Sequence, residues 1–167
     1  MSMPHNDIAV RVRTLATLLT RHGQKLATAE SCTGGLIAAA LTALSGSSLW
    51  FERGWVTYSN TAKTEELGVS DRLIANQGAV SEDVAAAMAA GARTMAHVDY
   101  ALSVTGIAGP DGGSPNKPIG TVCFGWATPT ETRMETQHFT GDRQSVREQS
   151  VAHALAGLIA LLMDEPR

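Results

Sequence analysis

Residues 25–44 read KLATAESCTGGLIAAALTAL, and this stretch decides the fold. The run from Lys25 to Glu30 predicts a short strand, and the apolar residues after Gly35 predict a helix that reaches about Leu44. A strand that passes through a tight glycine turn into a helix is typical of layered α/β proteins. We therefore expect strands and helices to alternate on either side of it.

The rest of the chain continues that alternation. Ahead of the stretch, apolar residues recur at helical spacing over 8–21, and Gly23 predicts a left-handed cap at the end of that helix. Behind it we predict, in order, a strand over 54–59, a helix from Asn60 to about Leu67, a helix from Glu82 to about His97, a strand over 100–105, strands over about 119–127 and 132–140, and a helix over about 143–163. Asn60 and Ser81 are the predicted caps of the two middle helices. This order predicts a single α/β domain over residues 1–167, with its core at about 8–163 and a mixed, mostly parallel sheet.

Composition excludes several classes of protein. The chain has 167 residues and a formal net charge of −3, and its lysines and arginines are scattered, so we expect no nucleic-acid partner. No apolar run approaches the ~20 residues that span a bilayer, so we expect no membrane partner and a cytoplasmic protein. Cys32 and Cys123 lack the spacing of metal ligands and are interpreted as reduced thiols, and the five histidines do not cluster. We therefore predict no metal and no cofactor.

Ser31 stands in the segment ESCTGG, residues 30–35, between the predicted strand and helix. Its hydroxyl can project from the sheet edge, where free N–H groups of the helix's first turn could stabilise an oxyanion formed by attack on a carbonyl. The glycines let the backbone approach a substrate closely. The alternative is that Ser31 or Thr33 only caps the helix, which is the commonest use of such residues.

Lys63 falls in the first turn of the helix predicted from Asn60. The helix dipole disfavours an ammonium at that end, and partial burial lowers the pKa of a lysine further. A lysine with a pKa of ~8 offers a usable fraction of free amine, so a Ser–Lys pair would need no histidine. The alternative is a solvated surface lysine. Tyr58 could hydrogen-bond the amine or the serine, or it could be a half-buried strand tyrosine with its hydroxyl in water.

Two further segments could bind an anion. Seven of the fourteen residues from Thr105 to Pro118 are glycine or proline. Consecutive N–H groups in such a loop can form a nest for phosphate, although a plain long turn fits the sequence equally well. Arg143 lies near the start of the last predicted helix, with Arg147 four residues later, where both the dipole and a guanidinium could face a phosphate or carboxylate. The alternative is that Asp142 caps this helix and that both arginines are exposed.

Together and in this order, these segments resemble the CinA C-terminal domain family. The resemblance rests on AESCTGG at 29–35, YSN at 58–60 with Lys63, GAVS at 78–81, TGIAGPDGG at 105–113, KPIGTV at 117–122 and GDR at 141–143. It extends from about Ile8 to Leu162. The family fold is a three-layer α/β/α sandwich, and stand-alone members hydrolyse nicotinamide mononucleotide to nicotinic acid mononucleotide and ammonia without a metal. The resemblance implies the same fold and the same reaction here.

The resemblance also implies roles for single residues. By it, Ser31 is the nucleophile and Lys63 the general base, while Tyr58 and Thr105 assist proton transfer or orientation. Oxyanion donors are expected near Cys32 or in the loop that begins at Gly106, and the glycine loop and an arginine are expected to anchor the phosphate of the substrate. The predicted binding residues are Glu30, Cys32, Thr33, Gly34, Gly106, Gly109, Arg143 and Arg147.

The expected partner is a small nucleotide substrate, and the resemblance implies a homodimer or a larger homo-oligomer. Three alternatives remain open at this point. The first is an amidase of the same mechanism that acts on another small amide. The second is a non-catalytic, nucleotide-binding regulatory module. The third is a metal-dependent phosphotransferase that uses the glycine loop.

Overall fold

The computed structural model describes residues 5–165, which form a five-stranded sheet with helices on both faces. The strands are β1 (Leu26–Glu30), β2 (Phe51–Val56), β3 (Tyr100–Gly106), β4 (Thr121–Ala127) and β5 (Thr132–His138). The helices are α1 (His5–Arg21), α2 (Leu36–Thr42), α3 (Asn60–Leu67), α4 (Asp71–Gln77), α5 (Glu82–Ala96) and α6 (Arg143–Asp164), and a short 3-10 helix, Ser47–Leu49, precedes β2.

The sheet is mixed, with the strand order β2-β1-β3-β4-β5. Strand β1 runs parallel to β2 and β3, whereas β4 runs antiparallel to β3 and β5. The predicted mixed, mostly parallel sheet is confirmed, because β1, β2, β3 and β5 run in one direction and β4 runs against them. Strand β4 is reversed because β3, β4 and β5 follow one another as a meander, and consecutive strands joined without a crossover pair antiparallel.

The three-layer sandwich implied by the resemblance is confirmed. On one face, α1, α2 and α6 pack on large strand residues such as Leu26, Leu102 and Phe124. On the other, α3, α4 and α5 pack on small ones such as Ala27 and Ala101. Because successive side chains of a strand point to opposite faces, the two cores share the same strands.

Several predicted boundaries move. Strand β2 begins at Phe51 rather than at Gly54, and α4 was not predicted. The cap of α3 is Ser59, whose hydroxyl oxygen accepts a hydrogen bond of 3.0 Å from the N–H of Ala62. The prediction of Asn60 as the cap was wrong, because Ser59 has the extended backbone of an N-cap and Asn60 is already helical. Ser81 is confirmed as the cap of α5.

From β1 the chain passes outward to the edge strand β2 and then crosses back to β3, on the other side of β1. The connection from β1 to β2 runs through α2 on one face, and the connection from β2 to β3 runs through α3, α4 and α5 on the other. In open α/β sheets, such a switch leaves a crevice at the carboxyl ends of the strands. The segments that follow β1 and β3 meet at that edge, so the fold places the Ser31 turn beside the glycine-rich loop.

Gly91 sets how closely α3 approaches α5. A Cβ atom built on Gly91 would collide with the carbonyl oxygen of Leu67, the last residue of α3. Lys63 lies one turn earlier on the same helix. The missing side chain therefore lets the end of the helix that carries Lys63 pack closely against α5.

We predict that Gly91→Ala destabilises the protein by about 1–3 kcal/mol, since the added methyl group meets backbone and no rotamer change relieves the clash. Helix propensity alone predicts the opposite sign, a gain of about 1 kcal/mol. Urea unfolding measures the free energy of unfolding. Thr94→Ala, at an exposed position of the same helix, is the control and is expected to shift it by less than about 0.5 kcal/mol. An unchanged or increased free energy in Gly91→Ala would contradict this packing.

Candidate active site

Ser31 and Lys63 meet at the carboxyl edge of the sheet. Ser31 directly follows β1, and the Nζ atom of Lys63 lies 3.1 Å from its Oγ atom. Both side chains are buried, with 8% of Ser31 and 1% of Lys63 exposed. The alternative of a solvated surface lysine is therefore wrong. A hydroxyl and an amine at this distance are within reach of direct proton transfer.

The surroundings of Lys63 favour its neutral form. Burial lowers its pKa, and the nearby Cys32 has a smaller effect in the opposite direction. Within residues 5–165, no carboxylate forms an ion pair with this amine. The carbonyl oxygens of Thr57 and Tyr58 lie 3.0 and 3.3 Å from Nζ. A neutral amine has two N–H groups and one lone pair, so these two carbonyls can accept both N–H groups and leave the lone pair for Ser31 Oγ.

Glu30 holds the start of α2. Its two carboxylate oxygens accept hydrogen bonds from the N–H groups of Ile37 at 2.9 Å and Ala38 at 3.1 Å. The N-cap position itself is Gly35, and it makes no side-chain cap. The alternative that Ser31 or Thr33 only caps the helix is therefore wrong. The expectation that the first helical turn supplies oxyanion donors also fails for these two N–H groups, because Glu30 already occupies them.

The turn before α2 still offers free donors. The N–H of Ser31 donates to the carbonyl of Val104 at 2.9 Å, and the N–H of Gly34 donates to the carbonyl of Ser31 at 3.0 Å. In the described part of the chain, the N–H groups of Cys32, Thr33 and Gly35 donate no hydrogen bond to another residue. The first two directly follow Ser31 in the sequence, and all three are donors that this turn can offer to a ligand.

Arg143 and Arg147 bind backbone on two sides of the site. Arg143 donates to the carbonyl of Gly109 at 2.9 Å and to the hydroxyl of Tyr58 at 3.4 Å. Arg147 donates to the carbonyl of Cys32 at 3.1 Å through Nε and to that of Thr33 at 3.3 Å through Nη2.

The alternative prediction that Asp142 caps the last helix is confirmed. The carboxylate of Asp142 caps α6 by accepting a hydrogen bond of 2.9 Å from the N–H of Ser145. The same alternative predicted that both arginines are exposed. This is wrong for Arg147, which is half-buried, whereas Arg143 is exposed but hydrogen-bonded. Arg143 therefore joins α6 to the glycine-rich loop, and Arg147 joins α6 to the nucleophile turn.

Tyr58 and Thr105 are the two residues predicted to assist the Ser–Lys pair. Tyr58 is 62% exposed, and it meets Lys63 through its carbonyl oxygen rather than its phenol. The hydroxyl of Thr105 donates to the carbonyl of Ala79 at 2.9 Å, which holds the segment before α5 against β3. Among the described residues, no hydrogen bond joins either side chain to the hydroxyl of Ser31 or the amine of Lys63.

Cys32 packs against Gly106 at the end of β3. A Cβ atom on Gly106 would lie 2.8 Å from Val122 Cγ2 and 3.1 Å from Cys32 Sγ, so this close approach requires glycine. Burial raises the pKa of the Cys32 thiol to about 12. Since only the thiolate is a strong nucleophile, Cys32 is poorly suited to attack and serves packing here.

Thr57 is a site residue that the sequence did not reveal. Its carbonyl contacts the Lys63 amine, and its buried hydroxyl has no hydrogen-bond partner among the described residues. The contact runs through the backbone, so no side-chain pattern marks it. What indicates its role is its position directly after β2, level with the end of β1.

A groove of about 610 Å³ opens beside the site between α1, α2 and α6. Arg143 and Arg147 line it, whereas Ser31 and Lys63 do not. In residues 5–165, no group of three or more His, Cys, Asp or Glu side chains is placed to hold a metal ion. No helix within the same range has the length and apolar character needed to cross a membrane.

Comparison with known proteins places this geometry in a family. The family model of the CinA C-terminal domain matches residues 9–162. The nicotinamide-nucleotide amidohydrolase PncC of Pseudomonas putida is 49% identical over 154 residues, which cover 90% of this chain and 96% of that protein. The crystal structure of the competence/damage inducible protein CihA from Agrobacterium tumefaciens has a TM-score of 0.92 at 42% identity, covering 96% of this chain and 99% of that chain.

The segment also occurs within longer proteins. A CinA-like protein of Syntrophobacter fumaroxidans is 50% identical over 147 residues, which cover 88% of this chain but only 35% of that protein. The same segment is therefore matched in a relative of similar length and within a longer relative. The sequence resemblance is confirmed, and the chain belongs to the CinA C-terminal domain family.

Proposed function

We propose that this chain hydrolyses the carboxamide of nicotinamide mononucleotide to nicotinic acid mononucleotide and ammonia. The observation that carries the proposal is the buried contact of 3.1 Å between Lys63 Nζ and Ser31 Oγ. The substrate is supported by the amidohydrolase of P. putida, which is 49% identical over nearly its whole length. The chain covers only 35% of the longer CinA-like relative, so no activity of the remainder of that protein is included.

In the first half of the reaction, neutral Lys63 takes the proton of Ser31 as Oγ attacks the carboxamide carbon. The carbonyl oxygen becomes an oxyanion. When it collapses, the C–N bond breaks and protonated Lys63 returns a proton to the leaving nitrogen, which departs as ammonia. Amides are poor electrophiles with poor leaving groups, so this proton delivery is as important as the attack.

In the second half, water resolves the ester formed on Ser31. Lys63 takes a proton from the water as its oxygen attacks the ester carbon. The C–Oγ bond then breaks, the proton returns to Ser31, and nicotinic acid mononucleotide leaves. The same amine serves as base and acid in both halves, so the mechanism needs no histidine and no metal ion.

The oxyanion binds to the N–H groups of Cys32 and Thr33, which have no other acceptor among the described residues. Loss of one such donor in a serine hydrolase costs about 10²–10³ in kcat. Glu30 and Gly34 act on the reaction by fixing this turn, the first through α2 and the second through the Ser31 carbonyl.

The phosphate of the substrate binds near Arg143 in this proposal. Its guanidinium is exposed and lies at the mouth of the site, held by Gly109 and Tyr58. In the described part of the chain, the N–H of Gly109 donates to no acceptor, so the loop can add a backbone donor. Gly106 brings this loop against the nucleophile turn, and Thr105 fixes its start.

We predict that Ser31→Ala and Lys63→Met each lower the rate of ammonia release from nicotinamide mononucleotide by at least ~10³-fold, since each removes one half of the reacting pair. An enzymatic assay for ammonia measures the rate, and circular dichroism checks that the fold is retained. Thr94→Ala is the matched control with wild-type turnover.

A chelator and a substrate panel separate the alternatives in the same assay. Turnover is expected to be unaffected by the chelator, because no step uses a metal. Turnover of another amide in preference to nicotinamide mononucleotide would overturn the proposed identity of the substrate. Nucleotide binding without any ammonia release would indicate a regulatory module instead, and near-normal rates in Ser31→Ala or Lys63→Met would refute the pair.

The pH profile of kcat/KM is expected to follow the titration of Lys63. The neutral amine is the active form, so kcat/KM rises with pH and levels off above the pKa of Lys63. Burial favours the neutral form, which moves the midpoint below the ordinary lysine value of about 10.4. Lys63→Arg is predicted to be inactive at every pH, because its guanidinium stays protonated. A midpoint at or above about 10.4 would contradict the assignment of the base.

A further inference from the structure

The donors proposed for the oxyanion are N–H groups of a turn, and a turn of glycine and small residues is flexible unless something fixes it. Within a planar trans peptide, the C=O and the N–H point in opposite directions. The direction of each N–H is therefore set by whatever binds the carbonyl of the preceding residue. The carbonyls of residues 31–33 each have a partner among the described residues.

Arg147 holds two of the three carbonyls directly. Its Nε binds the oxygen of Cys32 at 3.1 Å, which sets the direction of the Thr33 N–H. Its Nη2 binds the oxygen of Thr33 at 3.3 Å, and this oxygen also accepts the N–H of Leu36 at 3.0 Å, so the two donors together set the direction of the Gly34 N–H. That N–H in turn donates to the Ser31 carbonyl at 3.0 Å, and so it sets the direction of the Cys32 N–H.

We propose that Arg147 is a positioning residue that orients the N–H groups of Cys32 and Thr33 toward the oxyanion, rather than a ligand of the substrate phosphate. This inference rests on the proposed function, because it concerns the same Ser–Lys site. A guanidinium suits the task because its planar fork presents two N–H groups to two neighbouring carbonyls at once. Its charge also polarises both peptide groups, which strengthens the N–H donors on their far side.

Arg147 and Arg143 differ in burial and in the groups that they bind. Arg147 is half-buried and its fork faces the turn, whereas Arg143 is exposed and binds the loop and Tyr58. The two arginines lie one turn apart on α6, so one helix supplies both an anchor for the nucleophile turn and a cation at the mouth of the site.

The test compares Arg147→Ala and Arg147→Lys with Arg133→Ala, an exposed arginine of β5 that pairs only with Glu131 among the described residues. We predict that both Arg147 variants lower kcat for nicotinamide mononucleotide by about 10- to 100-fold with little change in KM. A lysine is a single point donor and is not expected to restore both contacts. Added guanidinium ion is expected to restore part of the kcat of Arg147→Ala, because it can occupy the vacated fork. A merely structural role would change the melting temperature without these kinetic effects.

A second readout does not depend on the substrate. An alkyl fluorophosphonate phosphonylates a reactive serine: the Oγ–P bond forms, the P–F bond breaks, fluoride leaves, and the serine proton passes to Lys63. The phosphonyl oxygen then occupies the oxyanion position, so labelling of Ser31, followed by intact mass, is expected to slow in Arg147→Ala by a factor similar to that in kcat.

The two proposals fail in different ways. Rapid labelling of the wild-type protein without ammonia release would overturn the proposed identity of the substrate. The ratio of the labelling rates of wild type and Arg147→Ala would still decide the role of Arg147. Equal labelling rates in Arg147→Ala and Arg133→Ala would overturn the positioning role. So would a large rise in KM with kcat unchanged, which would make Arg147 a ligand of the substrate.

Discussion

The buried hydrogen bond between Lys63 and Ser31 is the constraint on which the account depends. An isolated ammonium in a protein interior costs several kcal/mol, so a lysine with 1% exposure and no ion pair among the described residues favours its neutral form. Its three oxygen neighbours satisfy the polar head of the side chain without supplying a negative charge. The fold must therefore bring the end of β1, the end of β2 and the start of α3 to one point.

The residues around the Ser–Lys pair act mainly by fixing the backbone, and few of their side chains point at the pair. Glu30 fixes the start of α2, Arg147 fixes the nucleophile turn, and Thr105 fixes the segment before α5. Lys117 adds a further tie, because its amine donates to the carbonyl of Gln77, the last residue of α4, at 2.7 Å. Catalysis by fixed dipoles requires that the dipoles do not reorganise during the reaction, and these contacts supply that rigidity.

Much of the fold was visible in the sequence, because it rests on local signals. The helical repeat of α1, the Ser81 cap of α5 and the hairpin of β4 and β5 were each predicted close to their observed ends. Helix α4 was missed because it has only seven residues, too few to show a helical repeat. The Asn60 cap was assigned one residue late, since serine and asparagine are both good caps and sequence alone does not choose between neighbours.

The site was predicted less completely, for a physical reason. Ser31 and Lys63 were singled out by residue type and by the resemblance, but the role of Glu30 at α2 and of Arg147 at the turn depends on backbone groups. Arg147 and the carbonyl of Cys32 are separated by 115 positions, and a carbonyl leaves no trace in the identity of its residue. Thr57 was overlooked for the same reason.

The protonation state of Lys63 in the folded protein tests this account most directly. Lysines occur only at positions 25, 63 and 117, so an NMR titration of protein labelled at the lysine Cε and Nζ atoms gives a simple spectrum, and Lys63→Met identifies the signal of interest. The account predicts a midpoint for Lys63 below the ordinary lysine value of about 10.4. A midpoint at or above that value would mean that the amine is held charged, and it would contradict the role of Lys63 as the base.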